Sequence, residues 1–377
     1  MKRLCIAVAL ACVITASMAA VSPANAADPE FRGIYVDAFH DGFKTPEQTT
    51  EMVNKVADAN LNAIFVQVRK RGDAYYNSTI VPKADDIAPD YDPLADVIQK
   101  AHAKGLEVHA WINALNVTPS PRRAVSDAHV TVKHPEWVMV MEETGCSDTP
   151  GSSKKHLDPS LPAVREYLKG IVTEIVSRYA VDGLHVGGAR CEPFGRMRSE
   201  AGVGAFKAAV GQEAIARAGG PEWMEWNRNA VTELVRGMYY ATKAAKPGVA
   251  FSIVAGTPRK AARDANLEDW EAWLNEGIVD FIVPMLYDPV AFKHVLADCM
   301  SVKNDRYVLA GQPAFKVSRD KSVEQIDTAR AAGADGVVIF SYHYASRAPS
   351  AGDPALLDVL DSQVFPSAAR VPLMPQK

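Results

Sequence analysis

Polar and aliphatic residues alternate through Val108-His109-Ala110-Trp111-Ile112-Asn113, and the spacing separates chemistry from packing. Successive side chains of a strand point to opposite faces. Val108, Ala110 and Ile112 suit a layer of helices, which turns His109, Trp111 and Asn113 the other way, Asn113 being furthest along. Gln67 and Arg69 stand in the same relation to Ile64, Val66 and Val68, Tyr35 and Asp37 to Ile34 and Val36, and His185 to Leu184 and Val186. Met285, Tyr287 and Gln312 are predicted to join that polar face from later strands. Burying unpartnered polar groups costs a few kcal/mol each, so their convergence predicts a wet binding pocket. The rings of Trp111, Tyr75, Tyr76 and Tyr287 suit sugars, whose C–H faces stack on aromatic planes. Asp37, inward by parity, is the candidate catalytic carboxylate.

These residues need a scaffold that gathers strand ends. Short apolar runs at 31–38, 63–69, 106–113, 181–187, 250–256, 280–287, 307–313 and 336–343 alternate with amphipathic stretches near 46–60, 92–104, 162–179, 222–245, 267–276, 289–303, 322–333 and 353–363. Alternating strands and helices imply parallel pairing with right-handed crossovers. Eight such units predict an α/β fold, a single (β/α)8 TIM barrel. Local chemistry agrees: Thr45-Pro46-Glu47-Gln48 and Ser322-Val323-Glu324-Gln325 carry helix-start signals, and Gly105, Gly248, Gly277 and Gly333 stand where helices should stop. Long loops, 114–160 and 188–221, follow strands three and four on the face where barrels build their sites.

The first segment reads as an address. Lys2 and Arg3 precede an apolar run from Leu4 to about Val21, and Ala24-Asn25-Ala26 supplies a small-x-small cleavage pattern. Residues 1–26 are therefore expected to be a signal peptide, residues 27–365 the barrel and 366–377 a disordered tail. The product is expected to be secreted, periplasmic or in the cell envelope, with no membrane span after cleavage. Removing Lys2 and Arg3, with no acid in that segment, takes the formal charge from −4 to −6 (−4 − 2). That acidity argues against a nucleic-acid partner, which calls for a basic stripe. Cys146, Cys191 and Cys299 remain, without a C-x-x-C spacing for zinc. Cys146 and Cys191 stand either as a pair or as two thiols, and Cys299 reads as a buried helix residue. A metal site drawn from His40, His109, His185 and His343 lacks the convergence that ligands need, and no cofactor is implied.

Several motifs together point to a family. Phe31-Arg32-Gly33-Ile34-Tyr35-Val36-Asp37, Phe65-Val66-Gln67-Val68-Arg69 with Gly72-Asp73-Ala74-Tyr75-Tyr76, and the run Gly105 to Asn113 resemble the first three strands of the family-10-like glycosyl hydrolases. His134-Pro135-Glu136-Trp137, Leu157-Asp158-Pro159, Val181-Asp182-Gly183-Leu184-His185, Pro284-Met285-Leu286-Tyr287, Gly311-Gln312 and Phe340-Ser341-Tyr342 extend the likeness over roughly 30–345. The resemblance implies a glycoside hydrolase-like barrel that acts on or binds an envelope or environmental polysaccharide, with peptidoglycan strands as one substrate class. It adds Asp73 and Arg190 to the predicted substrate-binding set of Arg69, Tyr75, His109, Trp111, Asn113, His185, Tyr287 and Gln312.

The departure sits at strand four. Where the family pattern has an aspartate and its neighbour, this chain has Gly187 and Gly188; Arg190 keeps an arginine and Cys191 replaces a tyrosine. Glycosidases ordinarily use two carboxylates, and glycine supplies neither charge nor proton. Asp288, just past strand six, is the candidate second catalytic acid, with Glu192 as another; their plain readings are a helix cap and a solvated loop charge. The alternative function is a catalytically inactive pseudoenzyme that binds carbohydrate.

Overall fold

The computed structural model describes residues 29–120, 124–141, 154–190, 197–211, 220–350 and 352–373. Eight parallel strands close a barrel in chain order: β1 (Phe31–Val36), β2 (Ala63–Arg69), β3 (Glu107–Asn113), β4 (Gly183–Gly187), β5 (Ala250–Ala255), β6 (Phe281–Pro284), β7 (Tyr307–Pro313) and β8 (Gly336–Phe340). Outside them run α1 (Pro46–Asp58), α2 (Pro93–His102), α3 (Pro162–Arg178), α4 (Pro221–Ala245), α5 (Trp270–Glu276), α6 (Phe292–Met300), α7 (Arg319–Ala331) and α8 (Leu357–Gln363). The predicted (β/α)8 barrel is the observed one. None of the described helices is long and apolar enough to cross a membrane.

The start expected at Thr45 forms: Thr45 accepts from the backbone N–H of Gln48 ahead of α1, and Asp92 does the same for Ala95 ahead of α2, each with proline in the first turn. The start expected at Ser322 lies four residues earlier, where Ser318 accepts from Lys321 N and leaves Ser322 inside α7. Aliphatic residues of one strand parity pack on the helices, while Phe31, Tyr35, Phe65, Trp111, Phe281 and Leu309 fill the interior. The long loops hold elements that the sequence did not announce. Val138–Met141 pairs antiparallel with His156–Leu157 and Met197–Arg198, and a helix spans Glu200–Val210. Strand six stops at Pro284, and Met285 extends it by a single parallel bridge to Gly311 before Leu286 and Tyr287 run on. Residues 1–26, Cys146 and Cys191 lie outside the described residues, and Cys299 is buried in α6.

The base of the barrel is closed by one device used four times. Asn62, Asp182, Asp280 and Asp335 each stand just before an even-numbered strand. Their backbone N–H groups donate to the carbonyls of Arg32, Val108, Phe251 and Val308 on the preceding odd strand, at 2.8–3.1 Å. Their side-chain oxygens accept from the backbone N–H of those same four residues, at 2.8, 2.8, 2.7 and 2.9 Å. Their carbonyls accept from Glu107, Ala250, Tyr307 and Phe31 on the following odd strand. Four residues thus span all eight strand junctions.

The segment from Pro366, expected as a disordered tail, is described as far as Leu373 and runs beneath this ring. Arg32 donates to the Ser367 carbonyl at 2.7 Å, Asn62 to that of Ala369 at 3.1 Å, and Tyr307 Oη to that of Leu373 at 2.7 Å. Glu30 N donates to the Arg370 carbonyl at 3.2 Å, and Val371 packs on the interior aromatic cluster.

The ring makes a stability prediction. Asp280 is buried and serves Phe251 N and Lys243 Nζ, both at 2.7 Å, with the buried Arg306 guanidinium at 3.6 Å. Asp280→Ala takes the buried acceptor from Phe251 N and the one buried carboxylate from Arg306, and leaves Lys243 with the Val249 carbonyl alone, so chemical denaturation should show a loss of about 3–5 kcal/mol. A loss below about 1 kcal/mol, typical of a surface ion pair, would refute this role for the ring.

Candidate functional site

A cavity of about 420 Å3 opens at the C-terminal ends of the strands. Asp37, Trp111, Asn113 and Tyr287 line it, as parity and position predicted, and Gly187 and Arg190 line it with them. Asp37 follows β1 and is buried. Its Oδ1 accepts from Phe39 N at 3.1 Å and His40 Nδ1 at 2.7 Å, and its Oδ2 from Ser341 Oγ at 2.9 Å. Among the described lining residues it is the single carboxylate. Three donors orient it, and because a carboxylate only accepts, His40 carries its proton on Nδ1.

Gly187 explains the shape of the floor. A Cβ there would lie 2.6 Å from Trp111 Nε1, closer than real contacts allow, and a tight 3.1 Å from Asn113 Oδ1. The indole edge of Trp111 therefore occupies the space in front of strand four. One layer down the same economy recurs, since a Cβ on Gly183 would meet His109 Nδ1 at 2.0 Å.

An aromatic wall faces this floor. Tyr287 lies 5.9 Å from Phe340 and 5.3 Å from Phe315, and Phe315 lies 5.7 Å from Tyr344, ring centre to ring centre. Phe39, half exposed, stands on the opposite lip beneath Lys70 and Arg71. Arg190 sits 3.5 Å from the buried Glu268 and 3.6 Å from Met285 Sδ. His156, from the small sheet, also lines the cavity; burial, with Lys154 adding to it, lowers its pKa to about 4, so the ring is neutral at neutral pH.

Other predicted residues lie elsewhere. Arg69 is buried with its guanidinium on the carbonyls of Asn113 and Ala114. The cause is an irregularity in β2: Gln67 aligns with inward Trp111, but Arg69 aligns with helix-facing Ile112. Gln312 aligns with Ile339 and donates to Ser322 Oγ at 2.8 Å and Gln325 Oε1 at 3.2 Å in α7, because Leu309, not Val308, sets the inward parity of β7. Asp288 is exposed, outside the cavity lining, and accepts from Val290 N at 2.9 Å and Ala291 N at 3.3 Å, which corrects its reading as a second catalytic acid. Asp73 accepts from Arg71 N in a turn at a neighbouring cavity. Tyr75 is buried and donates to Asp86 at 2.7 Å.

His109 and His185 face inward but are sealed below the cavity. His185 bonds Tyr35 Oη and Ser252 Oγ, both at 2.8 Å, and burial holds its pKa well below the usual value. His109 contacts Glu107 at 3.1 Å. His40 instead stacks on His343 at 3.6 Å between ring centres. No cluster of three or more metal-ligating side chains occurs among the described residues. Glu192 lies outside them. Sequence reasoning passed over His40, His156, Phe340 and Tyr344 as wall residues, since they sit in a loop, a two-residue strand, a strand end and a short helix, where strand parity gives no direction.

Comparison with known proteins agrees with this geometry. The family model described as Glycosyl hydrolase-like 10 matches residues 30–320. The chain is 27% identical to Glycosyl hydrolase YngK of Bacillus subtilis (strain 168), over 93% of this chain and 75% of that protein. It is 29% identical to Glycosyl hydrolase DigH of Escherichia coli (strain K12), over 61% of this chain and 55% of that protein, so the match takes in about half of DigH. The fold matches the PgaB (BpsB) glycoside hydrolase domain from Bordetella bronchiseptica with a TM-score of 0.67 at 14% identity, covering 90% of this chain and all of that one.

His156 gives a pH prediction. Its folded pKa of about 4 lies below the ordinary 6.5, so the unfolded chain binds the extra proton first. Its contribution is complete above pH 6.5 and is lost as pH falls towards 4, by roughly 3 kcal/mol. Stability measured against pH should therefore fall more steeply in the wild type than in His156→Gln; parallel curves would show that the ring is not held neutral.

Proposed function

The chain belongs to the glycosyl hydrolase-like 10 family, and on that premise we propose that it takes a segment of polysaccharide into the barrel mouth and acts on it there. What carries the reading is the cavity itself, with the rings of Trp111, Tyr287, Phe340 and Tyr344 lining it together with Asp37, Asn113 and Arg190. Sugars are amphipathic rings, apolar on their C–H faces and polar at the rim, and this wall and floor match that division. The signal-like residues 1–26 support an exported protein, and cell-wall glycan strands are the first substrate class to test. No cofactor enters the reading.

A second reading, binding without cleavage, has its own support. Two-carboxylate hydrolysis needs groups about 5–5.5 Å or 6.5–9.5 Å apart across the bond. Gly187 offers no acid, and Asp37 is already engaged by three donors.

Co-sedimentation of the mature protein with peptidoglycan sacculi and with isolated glycan strands tests the first point. Binding is expected, weakened about tenfold or more by Trp111→Ala, which removes the central ring; no binding to any polysaccharide would sink the proposal. A reducing-end assay on the same samples separates the two readings. If ends are released, Asp37→Asn should lower the rate by about 10²–10⁴. If none are released, binding alone stands, and Gly187→Asp with Trp111→Phe to make room should create release.

A further inference from the structure

Two donors on the cavity floor have nothing to donate to. Gln67 and Trp111 are register partners on β2 and β3, and both line the cavity. Neither Gln67 Nε2 nor Trp111 Nε1 has a hydrogen-bond partner among the described residues. Gln67 is fully buried and Trp111 is 7% exposed. Their polarity is fixed: Ala38 N donates to Gln67 Oε1 at 3.0 Å, which leaves the amide nitrogen as the free end, and an indole nitrogen only donates. Buried N–H groups without acceptors are costly. Two of them on adjacent strands point to an acceptor supplied from outside.

The surrounding charge says what kind of acceptor. Asp37, the single acid among the described lining residues, has both oxygens taken. Arg190 and Lys154 line the same cavity, Arg190 being offset by Glu268 behind it. Trp111 Nε1 lies 2.6 Å from the position that a Gly187 Cβ would occupy, and Asn113 Oδ1 flanks that position at 3.1 Å. We propose that the floor is an anion subsite, in which a ligand carboxylate lies beside Gly187 and accepts from Trp111 Nε1 and Gln67 Nε2. The ligand would then bring a negative charge to the place where the strand-four pattern leads one to expect the protein's own. This deepens the saccharide reading and rests on it for the identity of the natural ligand, which would be a sugar chain carrying carboxylates.

Acetate is the probe, with chloride at matched ionic strength as control. The Trp111 indole N–H resonance, identified by its loss in Trp111→Phe, should shift saturably with acetate and not with chloride. Gln67→Glu keeps an oxygen for Ala38 N and replaces the free donor with a repelling oxygen, so acetate should bind at least about tenfold more weakly. Gly187→Asp should abolish the response by placing a carboxylate within the chain; should that variant fail to fold, Gln67→Glu decides. An indole signal that responds equally to chloride, or unchanged acetate affinity in a folded Gln67→Glu protein, overturns the proposal. Because acetate is scored apart from any polysaccharide, a protein that binds acetate but no glycan would defeat the saccharide reading and leave the subsite standing.

Discussion

Backbone groups at the end of a closed parallel barrel have no next rung to pair with, and this chain satisfies them with Asn62, Asp182, Asp280 and Asp335. Each residue grips the odd strand before it through both backbone and side chain, and the odd strand after it through its carbonyl. The stagger of all eight strands is thereby set from below. Because a one-residue slip turns every side chain to the opposite face, what stands at the mouth depends on this distant ring. Gln67 beside Trp111, and Asn113 beside Gly187, are the upper ends of registers fixed at Asn62 and Asp182.

The charged members of the ring are not left bare. His102 contacts Asp182 at 2.9 Å, Lys243 and Arg306 serve Asp280, and Lys303 holds Asp335 at 2.8 Å. The acid at the opposite end is treated differently. Asp37 is held by a backbone amide, a hydroxyl and an imidazole, groups that orient a carboxylate without pairing it to a permanent cation. Stability and site chemistry thus draw on the same side-chain type at opposite ends of the same strands.

Much of this was legible in the residues. Alternation along the strands placed Tyr35, Asp37, Trp111 and Asn113 correctly, because an aliphatic face against helices leaves little choice for the other face. The same rule failed where its premises failed. The irregularity between Gln67 and Arg69 reverses the last residue of β2. In β7 the inward place is held by Leu309, so a polar residue was mistaken for an inward one at Gln312. Depth was harder than direction: His109 and His185 point inward, yet larger rings above them seal them from the cavity. Non-local closure was hardest, since nothing in the composition of Ser367–Leu373 marks it as a lid for the barrel base.

That lid brings Glu30 and Arg370 into direct contact beneath the barrel, on the side away from the cavity. Both ends of the folded unit therefore leave from its underside. Anything joined to either end, whether an anchor, a fused partner or an affinity handle, would hold the barrel by its foot and leave the opening facing outward. A protein so tethered to a surface could meet a large, insoluble polymer without its attachment standing in the way.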